Sequence, residues 1–165
     1  MLIRGKIEPE VLSYAACALE CEGSLTLSRG VHSNKKTVMH NPCIAIANTD
    51  MRLIQFLQDT FGGSVYSEQP KKLSKKVIYR WKLWCNPCIE FLKLVFPYLK
   101  FKYTQAEVLI EFWERKRSLS FTERDVYWNR IKDLNKGKSP AETKRENSET
   151  NLRSDSPTLV ETPVS

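Results

Sequence analysis

Apolar residues recur along this chain with two different periods, and the switches between them mark out the elements. The stretch from Ser13 to Gly23, S-Y-A-A-C-A-L-E-C-E-G, reads as a helix that ends at a glycine and feeds directly into a strand. Pro9 suits the first turn, where a missing N–H goes unnoticed, and Gly23 suits the stop. Residues 24–29 then alternate, with Leu25 and Leu27 on one face and Thr26 and Ser28 on the other. A polar turn over 31–41 leads into a second strand that runs to residue 47 with Ile44 and Ile46 as anchors. Asn48-Thr49-Asp50 reads as a helix N-cap, and Leu53, Ile54, Leu57 and Phe61 supply a helical apolar face that Gly62-Gly63 stops. Residues 64–68 form a short strand, 69–76 a basic loop, and 77–84 a strong strand with Tyr79, Trp81 and Leu83 opposite Arg80 and Lys82. A helix opens at Asn86 or Pro87 and runs to Val95, and Pro97-Tyr98-Leu99 interrupts it. Residues 104–117 form a long helix capped by Thr104. Residues 122–134 form a last one that begins as a T-x-x-D variant of the capping box.

The order α-β-β-α-β-β-α-α-α predicts an α+β fold: one curved, saddle-like four-stranded antiparallel sheet with helices packed on one face. The αββαββα core is followed by C-terminal helices. One domain is expected over residues 1–137, and the Ser/Thr/Pro/Glu-rich stretch 138–165, almost without apolar residues, reads as a disordered polar tail.

Charge sharpens this picture. Residues 1–134 hold 21 Lys and Arg against 14 Asp and Glu, whereas 135–165 hold five of each, so the net charge of +7 belongs to the folded body. An anionic partner is the natural expectation. Five cysteines with no signal-peptide pattern point to a reducing intracellular compartment: a bacterial or phage-host cytoplasm, or an organelle. Cys85-Asn86-Pro87-Cys88 is a C-x-x-C, but no second pair stands at zinc-finger spacing. No apolar run reaches the roughly 18–20 residues that span a bilayer, so no membrane partner is expected.

Two features carry candidate chemistry. In the first helix Ser13, Cys17 and Cys21 lie four apart, a stripe of small side chains along which a second helix can approach closely. Glu20 and Glu22 crowd its last turn, where the partial negative charge of the helix end invites a cation. The second feature is the density of positive charge between residues 64 and 82: Lys71, Lys72, Lys75, Lys76, Arg80 and Lys82 face one acid, Glu68. A two-stranded ribbon with basic residues fits the major groove. The loop lysines would contact phosphates, and Thr26, Ser28, His32, Lys35, Lys36 and His40 would extend the DNA-binding surface, the shorter polar ones as base readers.

Residues 15–23, A-A-C-A-L-E-C-E-G, resemble the nine-residue signature of the LAGLIDADG homing endonucleases, with Ala15 in place of the usual leucine and Cys17 in place of the first glycine. G-G-S-V-Y at 62–66, Y-R-W-K at 79–82 and P-Y-L-K-F-K-Y-T-Q-A at 97–106 resemble later blocks of the same family, in the same order. The resemblance implies a homodimer of the single-motif type, joined through Ser13, Cys17 and Cys21, acting on double-stranded DNA at a long, near-palindromic site. It also implies a catalytic set: Glu22 with the Cys21 carbonyl as ligands for Mg²⁺, Lys102 reaching the active site, and Asn48 and Arg52 organising water, with Thr49 and Asp50 as alternatives. Mn²⁺ would substitute for Mg²⁺, and Ca²⁺ would bind without supporting cleavage. Phosphodiester hydrolysis in a mobile-intron endonuclease is the implied activity. A catalytically degenerate binder of the same fold, an intron-splicing maturase or a repressor, is the alternative; a small basic protein-binding module is a third reading.

Overall fold

The computed structural model describes residues 7–31, 38–69 and 76–137. Among them the elements run α1 (Pro9–Glu22), β1 (Gly23–Val31), β2 (Val38–Asn48), α2 (Met51–Phe61), β3 (Ser64–Glu68), β4 (Ile78–Trp84), α3 (Cys85–Val95), a 3₁₀ turn (Phe96–Tyr98), α4 (Tyr103–Arg115) and α5 (Phe121–Leu134). The strands form one antiparallel sheet in the order β1-β2-β4-β3. This is the α+β architecture expected. The tail beyond residue 137 lies outside the described residues.

Alternation along the strands gives the sheet two unlike faces. Leu25 and Leu27 of β1 stand opposite Ile44 and Pro42 of β2, and Ile44 and Ile46 stand opposite Leu83 and Trp81 of β4. All of these are buried beneath the helices. Trp81 is fully buried, and its indole N–H donates to the Gly62 carbonyl at 2.7 Å. Phe91 of α3 meets the Trp81 ring edge-on at 5.3 Å and the Phe61 ring at 4.8 Å. Each such pair adds about 0.5–1.5 kcal/mol beyond the burial itself. The other face carries Ser24, Thr26, Ser28, Tyr66, Arg80, Lys82 and Trp84, together with Asn41, whose side-chain oxygen accepts from Lys116 Nζ at 3.2 Å.

Helix boundaries differ from the sequence reading at three places: α4 begins at Tyr103, with Lys102 rather than Thr104 in the cap position and no side-chain cap bond, and the starts of α5 and α3 shift for local reasons. α5 is capped by Ser120, not Thr122: the Ser120 hydroxyl accepts the Glu123 N–H at 3.3 Å and the Glu123 carboxylate accepts the Ser120 N–H at 2.7 Å. The full capping box S-x-x-E satisfies two otherwise orphaned donors and outcompetes T-x-x-D. α3 starts at Cys85, whose φ of 55° turns the chain straight from strand into helix.

At the other junction of strand and helix the chain also turns without a loop. α1 ends at Glu22 and β1 begins at Gly23. A Cβ on Gly23 would run into the Leu19 carbonyl and side chain, so the turn admits only glycine.

Candidate functional site

The end of α1 is built from two distant stretches of sequence. Its last turn has no basic residue of its own, so nothing local offsets the exposed carbonyls or Glu20 and Glu22. The segment entering α4 supplies the missing positive groups. The Glu20 carboxylate accepts backbone N–H bonds from Lys100, from Phe101 at 2.6 Å and from Lys102 at 3.3 Å, all through one oxygen. In return the Lys102 ammonium donates to the Glu20 backbone carbonyl. Partial burial pushes the Glu20 carboxyl up, but the N–H groups of Phe101, Lys100 and Lys102, with the Lys102 charge, outweigh it and hold the carboxyl below its ordinary value of 4.5.

The two acidic residues of this turn therefore have different fates. Glu20 is bound inward, while Glu22 is exposed beside it. Both Glu22 and Lys102 act on the Cys21 thiol: the hydrogen-bonded Cys17 thiol is the main influence raising it, Glu22 adds to the rise, and the Lys102 ammonium pulls the other way. Cys21, Glu22 and Lys102 thus share one electrostatic neighbourhood at the foot of α1. Ser13, Cys17 and Cys21 are exposed along the same helix, next to Tyr14. Ala15, Ala16, Ala18 and Leu19 face the core instead.

Asn48 and Arg52 sit at the corner between β2 and α2. Asn48 Oδ1 accepts the Asp50 N–H at 2.8 Å, and Asp50 caps α2 by accepting the Arg52 N–H at 2.9 Å. The Arg52 guanidinium grips the same carboxylate through Nε and through a terminal nitrogen at 2.6 Å, which brings the Asp50 carboxyl down to about 2. Both predicted water organisers are thereby engaged in shaping this corner, although the Arg52 side chain is otherwise open to solvent.

On the open sheet face the expected residues come together only in part. Thr26, Ser28, Arg80 and Lys82 share it, and the Thr26 hydroxyl donates to the Cys43 carbonyl at 3.5 Å. The Lys82 ammonium lies 5.4 Å from the Tyr66 ring and 6.0 Å from the Trp84 ring. Those two exposed aromatics were missed in the sequence, where nothing local marks them. Arg80 is paired with Glu68 at 2.7 Å. Lys76 is exposed at the start of the β4 approach.

His40 is a correction. It keeps phase with Pro42, Ile44 and Ile46, so it points under the helices, is fully buried, and has its Nε2 2.7 Å from Asp125 on α5. It does not reach the open face. His32, Lys35, Lys36, Lys71, Lys72 and Lys75 lie outside the described residues.

The C-x-x-C pair divides: Cys88 is core, where burial pushes its thiol far up, and Cys85 is half-buried. Among the described residues no group of three or more His, Cys, Asp or Glu side chains could hold a metal ion. None of the described helices is long and apolar enough to cross a membrane.

No protein-family model matches the sequence, and no curated protein does. Solved structures do match. The homing endonuclease I-CvuI in complex with its target has a TM-score of 0.62 at 13% identity over 74% of this chain and 80% of that one. The group I intron-encoded homing endonuclease I-CeuI, complexed with DNA, has a TM-score of 0.59 at 14% identity, over 78% of this chain and 69% of the other. The LAGLIDADG homing endonuclease I-LtrWI, bound to target DNA, has 0.57 at 20% identity, over 94% of this chain and 52% of its own. The chain has the LAGLIDADG homing endonuclease fold. Within this fold the family-like blocks of the sequence, the α1 signature and the segment 97–106, are the two stretches that Glu20 joins.

Because the Glu20 carboxyl is lowered in the folded state, its contribution to stability is complete above its ordinary value of 4.5 and is lost as pH falls through the lower folded value. The wild type should therefore exceed Glu20→Gln in urea midpoint at about pH 6. That difference should shrink as the pH is taken to about 3. A difference that stays constant over this range would show that the Glu20 charge does not hold the segment.

Proposed function

We propose that the protein is a site-specific double-stranded DNA endonuclease that acts as a homodimer and depends on a divalent cation, Mg²⁺ foremost. The observation that carries this reading is the bond from the Lys102 ammonium to the Glu20 carbonyl at the foot of α1, where Glu22 is exposed, a junction the chain makes across 82 residues of sequence. An ammonium and an exposed carboxylate at one helix end suit charge developing on a phosphodiester better than they suit packing. The fold likeness to homing endonucleases solved with DNA supports DNA as the partner.

The donor set is tested by its chemistry. One exposed carboxylate and the carbonyl of Cys21 at a partly negative helix end are hard oxygen donors, which suit Mg²⁺, an ion that keeps several waters and takes one or two protein carboxylates. I-CvuI has been solved with its target in the presence of Ca, and with the I-CreI target in the presence of Mg, the latter with the DNA not cleaved. A divalent cation bound there supplies Lewis-acid activation of water and neutralises phosphate charge. The chain's own residues do the rest. Glu22 gives the cation an anchor, and Glu20 holds Lys102 so that its ammonium faces the reacting phosphate without searching rotamers. The open sheet face with Thr26, Ser28, Arg80 and Lys82 lies along the duplex.

One chain presents one Glu22, and a double-strand break needs two. The exposed Ser13, Cys17 and Cys21 stripe, flanked by Tyr14, supports close packing of two α1 helices. This chain spans about half of I-LtrWI but four-fifths of I-CvuI, which fits a unit that works in pairs. A second reading, a binder that no longer cuts, is favoured by the engagement of Asn48 and Arg52 with Asp50. Glu22 and Lys102 together weigh against it, since binding alone has no use for a carboxylate beside phosphate.

Selection from a randomised duplex library should yield a near-palindromic site that the wild type cuts with Mg²⁺. Glu22→Gln should bind that site with affinity within about threefold of wild type, a change under 1 kcal/mol, and should not cut it. Cutting by this variant at the wild-type rate would overturn the assignment. In sedimentation equilibrium the wild type should behave as two chains and Cys17→Arg as one, with unchanged helix content. A monomeric wild type would remove the dimer.

A further inference from the structure

The hairpin of β1 and β2 carries a polar node that the site described above does not use. Arg29 and His40 stand opposite each other in the ladder, one step beyond Ser28 and Asn41. Alternation turns Ser28 and Asn41, the latter bound by Lys116 Nζ at 3.2 Å, away from the helices, and Arg29 and His40 to the side beneath them. At that level the sheet would ordinarily be apolar, as it is at Leu27 with Pro42 and Leu25 with Ile44. Instead α5 brings Asp125 down on both strands: Oδ1 lies 2.7 Å from His40 Nε2, and Oδ2 lies 3.3 Å from a terminal nitrogen of Arg29. The guanidinium is also held over the rings of Phe121, at 5.7 Å, and Trp128, at 5.4 Å.

This is a demanding way to seat a helix on a sheet. His40 is fully buried, and its Nδ1 has no hydrogen-bond partner among the described residues. Two leucines would cover the same surface without orphaning a nitrogen. What a hydrogen-bonded polar node adds is direction: it accepts one arrangement where apolar contacts accept several. Here the arrangement includes one residue from each strand. A slip of β1 against β2 by one residue would carry Arg29 or His40 to the other face and break the node.

We infer that Asp125 is a positioning residue for sequence reading: by gripping the cross-strand pair Arg29 and His40, it fixes the register and tilt of the hairpin that presents Thr26 and Ser28 to a duplex. This rests on the reading of the open face as the DNA-binding surface. α5 then acts on recognition from the opposite side of the sheet, without touching nucleic acid.

The test is selection from a randomised duplex library by the full chain, comparing wild type, Asp125→Asn and the milder Arg29→Met, with thermal melts of each. Both variants should fold. Their enriched sites should lose preference, about tenfold per position, the discrimination of one base contact, in a contiguous block of each half-site while the remaining positions keep theirs. A wild-type motif recovered unchanged by a folded variant, with only a lower melting temperature, overturns the inference and leaves the DNA reading standing. So does a loss spread evenly over all positions. If Asp125→Asn does not fold, Arg29→Met decides by the same criterion. A wild type that enriches no sequence overturns the DNA reading itself, and the inference with it.

Discussion

The Glu20 carboxylate, at the end of α1, gathers three successive backbone N–H groups of residues 100–102, and the arrangement around Glu22 follows from that one constraint. A carboxylate near a helix C-terminus is misplaced by about 0.3–1 kcal/mol when exposed. Here the penalty is removed by charge-assisted hydrogen bonds, which are shorter and stronger than neutral ones. The same contact returns the Lys102 ammonium to the carbonyl of Glu20, so the helix end acquires the cation it lacked. Glu22, two residues further on, is left exposed at the same helix end.

The sheet serves this junction by having two unlike faces. One is filled with Ile44, Ile46, Trp81 and Leu83, against which α1, α2 and α3 pack. The other carries Thr26, Ser28 and Lys82, with Lys82 steadied between Tyr66 and Trp84. Because β1 begins immediately after Glu22, the open face and the foot of α1 are continuous in the chain as well as in space. A residue on β1 and the carboxylate of Glu22 cannot move independently by much.

The fold was legible in the sequence to the extent that its determinants are local. Pro9 and Gly23 bound α1, the alternation of Leu25 and Leu27 marks β1, and the order of helices and strands stands as read. The errors arose where two local signals competed. Ser120 with Glu123 makes the complete capping box that Thr122 with Asp125 only imitates, and Asp125 has another task on Arg29 and His40. His40 looked like a surface histidine because its neighbours in sequence are polar, yet its strand phase puts it among Pro42 and Ile44. Of the candidate site, Glu22 and Lys102 could be named from motif resemblance. The role of Glu20 could not, since it exists only through a contact between residues 80 apart in the chain.

The central claim is that Glu20 acts through Lys102, and single-turnover cutting of a selected duplex by Glu20→Ala, Lys102→Met and the double variant tests it most directly. The account predicts that each single variant cuts about 100-fold more slowly, at unchanged duplex affinity, and that the double variant is no slower than Lys102→Met alone, as expected of groups that work as a unit. Wild-type cutting by Glu20→Ala, or losses that multiply in the double variant, would contradict it.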